Sequence, residues 1–278
     1  MTRVADVLAA LRERLDDASP SAALDAELLV AHVRGTRRSA LAADPGRTLA
    51  PEELFALESL ARRRIAGEPV AYLTGRREFW SLELEVTPDV LVPRPETELV
   101  VERVLAAIAG IERPTVLDLG TGSGAIALAV ARERTYAAVT ATDASAAALE
   151  VARRNASRLE IRNLRFLGGS WFEPLQGARF HAIASNPPYV AADDPALAAL
   201  VHEPQDALVA GAGGLAAIMA IAAVAPTHLE PGGLLIVEHG ADQGAAVRAH
   251  FAAAGLSAVA TRTDLAGHER VTEGTRPR

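Results

Sequence analysis

Apolar residues recur along "VADVLAALRERL" at Val4, Val7, Leu8, Leu11 and Leu15, the spacing of one helical face. Ser21 stands where a cap for a second helix, "AALDAELLVAHV", is expected, and Gly35 where that helix should stop. Pro51 opens a third, "PEELFALESLARRRIAG", with acids in its first turn and arginines in its last, the order that suits a helix dipole. Residues 1–75 therefore read as a small helical domain.

The pattern then changes. Gly67, Pro69, Gly75, Pro88, Pro93 and Pro95 punctuate the next stretch, and "LELEV" alternates in the manner of a strand. A hairpin and linker are expected over 76–96, and a helix resumes at Thr97. From Pro114 onward strands and helices alternate: "TVLDLG", "AVTATD", "NLRFL", "FHAIASN", "GGLLIVEHG" and "LSAVATRTDL" read as strands, and "HERVTEG" as a last strand at the sheet edge. This alternation predicts an α/β fold over 97–278, a doubly wound, mostly parallel sheet of seven strands with helices on both faces.

Composition narrows the chemistry. The 278 residues carry 28 basic and 35 acidic side chains, a formal net charge of −7, which argues against a broad nucleic-acid-binding face. There is no cysteine, so disulfides, thiolate zinc sites and cysteine nucleophiles are excluded. Charges interrupt the apolar pattern of the first residues, which is unlike a signal peptide. No uncharged apolar run reaches the roughly 18 residues that suggest a membrane span. A monomeric cytoplasmic protein without a membrane partner is the expectation.

Two motifs fall at strand ends, where a sheet of this class binds its ligands. "DLGTGSG" places Asp118, Gly120, Thr121, Gly122, Ser123 and Gly124 between the first sheet strand and its helix. Glycines there let the backbone approach a ligand closely. Gly120, Gly122 and Ala125 also fit a loose G-x-G-x-x-A, so a nicotinamide enzyme competes for this loop. Asp143 ends the second strand, placed either to accept ribose hydroxyls or to cap the next helix. Asp118 either orients the loop or lies near the ligand. Trp171 either covers an adenine ring or is a core aromatic.

The second motif is "NPPY", Asn186, Pro187, Pro188 and Tyr189, at the end of the fourth strand. A planar NH2 group must be held in line with its electrophile to act as a nucleophile. Asn186 offers an oxygen to one N–H, and the Pro187 carbonyl, preset by the fixed φ of the proline pair, can take the other. Tyr189 offers a flat face. A dehydrogenase leaves this motif unexplained, as does a protein that merely binds a factor.

"DLGTGSG" (118–124) together with "NPPY" (186–189) resembles the class I S-adenosylmethionine-dependent methyltransferases that act on a planar nitrogen. The blocks at 67–102, 203–215 and 236–248 resemble the bacterial release factor glutamine methyltransferase family more narrowly. The resemblance implies a class I methyltransferase sheet, a helical domain that recognises protein, and methylation of the glutamine amide in the Gly-Gly-Gln motif of class I release factors. It implies that Asp118, Gly120–Gly124, Asp143, Trp171 and Asn186 bind the cofactor. It implies that Asn186, Pro187, Pro188 and Tyr189 hold the substrate, with Asn186, Pro187 and Tyr189 catalytic and no metal. One departure is Ser170, where the family often carries an acid that would face the adenine amine. "RPETE", Arg94–Glu98, resembles the family's block near the domain junction, where it either shapes the site or caps a helix. The alternatives are methylation of a ribosomal-protein glutamine, which the shared site does not separate, and methylation of an adenine in nucleic acid, which an extended basic surface would mark.

Overall fold

A computed structural model describes residues 2–278, which divide into two compact units at Arg76/Arg77. In the first unit, β1 (Thr2–Arg3) leads into α1 (Val4–Leu15), followed by α2 (Ala22–Val33), α3 (Arg38–Ala43), β2 (Thr48–Leu49), α4 (Pro51–Ile65) and α5 (Val70–Thr74). The predicted stripe of α1 is its buried face: Val4, Val7, Leu11 and Leu15 pack with Leu29, Leu57, Ala61 and Leu73. Gly35, at φ +59°, ends α2 as expected. Ser21 does occupy the residue before α2, but its hydroxyl makes no cap. It donates instead to Asp25, a buried carboxylate that also accepts from Ser19 Oγ and Arg64 Nε at 2.7 Å each.

A hairpin begins at the boundary residue Arg76, with β3 (Arg76–Phe79) and β4 (Leu82–Glu85), and its two turn residues Trp80 and Ser81 both have positive φ. That left-handed backbone is unusual outside glycine. It is held here by the Glu98 carboxylate, which accepts from the Trp80 backbone N–H at 2.9 Å. The next elements in order are α6 (Glu98–Ala107), β5 (Thr115–Leu119), α7 (Ala125–Glu133), β6 (Ala138–Asp143), α8 (Ala146–Arg158), β7 (Leu164–Gly168) and β8 (Phe180–Ser185). The chain finishes with α9 (Ala216–His228), β9 (Leu229–Glu238), α10 (Gly244–Ala253), β10 (Ser257–Thr263) and β11 (Glu269–Thr275).

The seven strands run in the order β10-β11-β9-β8-β5-β6-β7. The five from β9 to β7 are parallel, and β11 is antiparallel to both its neighbours. This corrects one expectation: "HERVTEG" is not the edge strand. As β11 it lies inside the sheet, where its register with β9 pairs Val271 with Glu238, and β10 takes the edge. A hairpin returning inward lets β11 bury Val271 and Thr272, which the exposed edge would leave wet.

Side-chain alternation divides the core into two layers. Val116, Ala182 and Ile236 face the layer that includes residues of α6 and α7, while Leu117, Ile183 and Leu235 face the layer that includes residues of α9 and α10. With both faces covered, the sheet offers ligands the carboxyl ends of its strands. Among the described residues no helix is long and apolar enough to cross a membrane.

Candidate active site

At those carboxyl ends lies a cavity of about 510 Å³, a size that suits a small organic ligand. Its wall includes Gly120, Thr121, Gly122 and Ser123 after β5, Asp143 at the end of β6, Ser170 and Trp171 after β7, and Asn186 and Pro188 after β8. Val90, Arg94, Thr97, Pro204 and Asp206 line further parts of it. Gly124, Asp118, Pro187 and Tyr189 do not line it. Gly124, Asp118 and Tyr189 support the lining residues through their contacts, and Pro187 lies between two residues that do line the cavity, Asn186 and Pro188.

The glycine loop turns through three positive-φ residues, Gly120 (+68°), Gly122 (+54°) and Gly124 (+88°). A Cβ on Gly124 would stand 2.9 Å from Leu128 Cδ1, so the helix packs onto the loop with no room for a side chain. A Cβ on Gly120 would stand 3.3 Å from the ring of Trp171. Gly120 thus keeps space for the indole. Trp171 itself has φ +47°, and its carbonyl accepts from Thr142 Oγ1 at 3.1 Å.

Asp118 is buried beneath the loop. Its Oδ2 accepts from Thr121 Oγ1 at 2.6 Å and from the Ala127 N–H at 3.2 Å, so it staples the loop to the first turn of α7. Burial pushes its carboxyl up to about 7, against the pull of those two donors and with a further push from Asp143. Asp143 accepts from the Gly122 N–H and the Ser145 N–H, each at 2.8 Å. Burial raises its pKa and the same two donors oppose the rise. Asp143 is not the helix cap: Ser145 caps α8, its Oγ accepting from the Ala148 N–H at 3.1 Å, and Asp143 holds the N–H of that cap residue. Each carboxylate oxygen has a second lone pair free of its backbone partner.

Asn186 follows the buried end of β8. Its Nδ2 donates to Thr97 Oγ1 at 3.1 Å, and Thr97 Oγ1 donates to Glu238 Oε2 at 2.6 Å. Tyr189 Oη donates to the other oxygen of Glu238 at 3.2 Å. Burial pushes the Glu238 carboxyl up to about 7; Thr97, Tyr189 and Arg270 oppose this and Glu96 adds to it. Burial also raises the Tyr189 phenol, with the Glu238 charge adding to the rise. Tyr189 is thus a neutral hydrogen-bond donor at ordinary pH.

Sequence reasoning reached Thr97 only as part of the Arg94–Glu98 block and missed Glu238 as a member of the site. It also missed Asn155, fully buried on α8, whose Nδ2 donates to the Ser123 carbonyl and the Glu85 carbonyl at 3.0 Å each while its Oδ1 accepts from the Glu85 N–H. Glu203 is a further such residue: it accepts from the Val92 N–H and the Arg94 guanidinium, at one end of the cavity. Among the described residues no cluster of His, Asp and Glu is placed to hold a metal ion.

Comparison with known proteins agrees with this geometry. Residues 6–75 match the family described as PrmC N-terminal domain, and residues 95–220 the methyltransferase small domain. The release factor glutamine methyltransferase of Burkholderia pseudomallei is 52% identical over 94% of this chain and 94% of its own. The chain belongs to the release factor glutamine methyltransferase family. The enzyme of that name from Xylella fastidiosa is 48% identical, over 98% of this chain and 97% of its own. Among solved structures, the 16S rRNA N2 G1207 methyltransferase of T. thermophilus, in complex with AdoMet and guanosine, aligns with a TM-score of 0.54 at 20% identity, covering 73% of this chain and 50% of that one. That likeness shows the shared methyltransferase fold.

Proposed function

We propose that this chain transfers a methyl group from S-adenosylmethionine to the side-chain amide nitrogen of the glutamine in the Gly-Gly-Gln motif of class I peptide chain release factors. One observation carries the reading: an acceptor for ribose hydroxyls, Asp143, and an acceptor for an amide N–H, Asn186, face the same cavity. Family membership supplies the substrate class. The residues present suit the cofactor. The open glycine loop would hold its amino-acid part, Asp143 the ribose and Trp171 the adenine, with Ser170 in place of an acid beside the ring.

When bound, S-adenosylmethionine supplies an electrophilic methyl on a sulfonium sulfur. Asn186 takes one N–H of the substrate amide, and the Pro187 carbonyl takes the other. The nitrogen is thereby oriented, and the positive charge that grows on it meets a preorganised oxygen. A nitrogen that gained the methyl would become acidic, and its surplus proton would pass to solvent. No strong base is required. Recognition of the release factor is assigned to the helical unit before Arg77, and the enzyme acts as a cytoplasmic monomer.

Mass spectrometry of a class I release factor, after incubation with enzyme and labelled cofactor, tests this. The expected result is one labelled methyl on the Gly-Gly-Gln glutamine. Label on a ribosomal-protein glutamine or on an adenine of nucleic acid, with the release factor unmodified, overturns it.

A further inference from the structure

Behind the cavity wall, four side chains from three separate segments share one line of hydrogen bonds: Asn186, Thr97, Glu238 and Tyr189. Thr97 is 4% exposed and Glu238 1%, so water does not complete these contacts. The proposed reaction uses only the oxygen of Asn186. Why its partners are a hydroxyl and a buried acid is a separate question.

Proton counting answers it. A hydroxyl has one proton to give, and an ionised carboxylate has none. Glu238 therefore draws the Thr97 proton onto Oε2, and Thr97 Oγ1 is left with lone pairs only. The amide end that faces Thr97 must then be the donor, Nδ2. Oδ1, which pairs with no group among the described residues, is left for a ligand. A flipped amide would set Oδ1 against an oxygen with no proton to offer, at the cost of a buried polar group left unpaired.

We propose that Thr97 and Glu238 are positioning residues that fix the polarity of the Asn186 amide, holding Oδ1 toward the substrate nitrogen. The inference rests on the methyl-transfer reading of the site. Tyr189 holds the second oxygen of Glu238 and so keeps the carboxylate turned to Thr97. The charged groups that act on Glu238 are Glu96, which favours its proton, and Arg270, which disfavours it. Arg94 and Arg270 act in turn on Tyr189. Protonation at Oε2 reverses the line: Glu238 donates to Thr97, Thr97 donates to the amide, and Asn186 turns Nδ2 outward to meet an N–H with an N–H.

The test uses the full chain with a class I release factor and saturating S-adenosylmethionine. Thr97→Val removes the hydroxyl and keeps the shape, whereas Thr97→Ser keeps the hydroxyl. Single-turnover transfer should fall about 10- to 100-fold in Thr97→Val, by analogy with the loss of a partner that orients a metal ligand, and stay within about threefold in Thr97→Ser, which keeps the hydroxyl. S-adenosylhomocysteine affinity should change by less than about twofold in both, because the cofactor contacts assigned to the glycine loop and Asp143 remain. In the wild type the rate should climb with pH through neutrality, and Glu238→Gln should abolish that limb. NMR of the Asn186 side-chain amide gives a readout without turnover: Thr97→Val should shift its Nδ2 protons and speed their exchange, and Thr97→Ser should not. Wild-type transfer in Thr97→Val, equal loss in both Thr97 variants, or an unmoved amide signal overturns the positioning role. A wild type with the expected amide signal but no transfer to release factor overturns the proposed function instead.

Discussion

Asp143 Oδ2 accepts a 2.8 Å hydrogen bond from the backbone N–H of Gly122, which ties the end of β6 to the glycine loop that follows β5. The same carboxylate holds the Ser145 N–H at the start of α8. One side chain therefore shapes the cavity and offers it an acceptor. Asp143→Ala should weaken S-adenosylhomocysteine binding by about 1–3 kcal/mol, the cost of leaving buried polar partners unpaired. Asp143→Asn should lose less, since one oxygen remains. Titration calorimetry reads both, with NAD as the control ligand that should give no heat. Unchanged affinity in Asp143→Ala, or tight NAD binding by the wild type, refutes the assignment.

Gly124 and Gly122 separate packing from access. Both have positive φ, which costs a side chain roughly 1–2 kcal/mol. At Gly124 a Cβ would also meet Leu128 Cδ1 at 2.9 Å and Ala152 Cβ at 3.3 Å, inside a core that has little slack. Gly124→Ala should therefore destabilise the fold by about 2–4 kcal/mol, strain and overpacking together. At Gly122 nothing lies within 4 Å, so Gly122→Ala should cost only the strain, about 1–2 kcal/mol. Its added methyl should be felt more by the cofactor than by the fold. Urea unfolding midpoints and cofactor affinities for the two variants check the contrast, and equal midpoints contradict it.

The sheet and the two motifs were legible because their signals are local. A strand's apolar run, a glycine loop and a proline pair each occupy a few consecutive residues. The pairing of Thr97 with Glu238 carries no such signal: they are 141 positions apart, and only the folded sheet makes them neighbours. Glu238 reads in sequence as the polar end of a strand, and Thr97 as the start of a helix. Asn155 sits in a helical repeat and reaches Ser123, 32 positions away, only after α8 packs. The place of β11 was misread for a related reason. Alternation along the chain tells which segments are strands, but the inward return of an antiparallel hairpin depends on which strand has more side chain to bury. The Ser21 cap failed through competition, because a buried Asp25 lay one helical turn away and took the hydroxyl.

Burial raises three carboxyls, which gives stability a pH dependence whose sign can be worked out. Asp143 is raised, and Glu238 and Asp118 are both pushed up to about 7. Between their ordinary values and about 7 the folded state holds protons that the unfolded chain has lost. Their contribution is fully present below the ordinary carboxylate range and is lost as pH rises to about 7, at up to about 1.4 kcal/mol per pH unit and group. His239 opposes them: burial lowers its pKa, so it costs stability as pH falls below the ordinary histidine value. Asp264 and Glu273, both lowered, act only on the acid side of this window. Glu238→Gln isolates one contribution. In urea unfolding of the cofactor-free protein, the stability difference between wild type and Glu238→Gln should shift against the wild type from pH 5 to pH 7.5. A difference independent of pH contradicts the buried-acid account.

Asn186→Ala and substitutions of Tyr189 divide chemistry from binding. In the proposed reaction Asn186 Oδ1 would meet a charge that develops only as the methyl arrives, and an interaction stronger in the transition state lowers the barrier. Asn186→Ala should cut kcat by about 100-fold or more, in line with losing one preorganised polar group. S-adenosylmethionine binding should suffer less, because Asp143 and the glycine loop remain. For Tyr189, the flat ring alone predicts that Tyr189→Phe is mild. The hydrogen bond to Glu238 changes that expectation. Phe leaves one oxygen of a buried carboxylate a donor short, which raises the Glu238 carboxyl further and moves the ascending limb of the rate to higher pH. Tyr189→Phe should therefore be near wild type at pH 8.5 and clearly slower at pH 7, while Tyr189→Ala, which also opens a void behind the wall, should be slow throughout. Single-turnover methyl transfer across pH, with saturating cofactor and a release-factor substrate, measures all three. If Asn186→Ala transfers at the wild-type rate and merely raises KM, or if the Tyr189→Phe profile superimposes on that of the wild type, the amide cradle is not built as described.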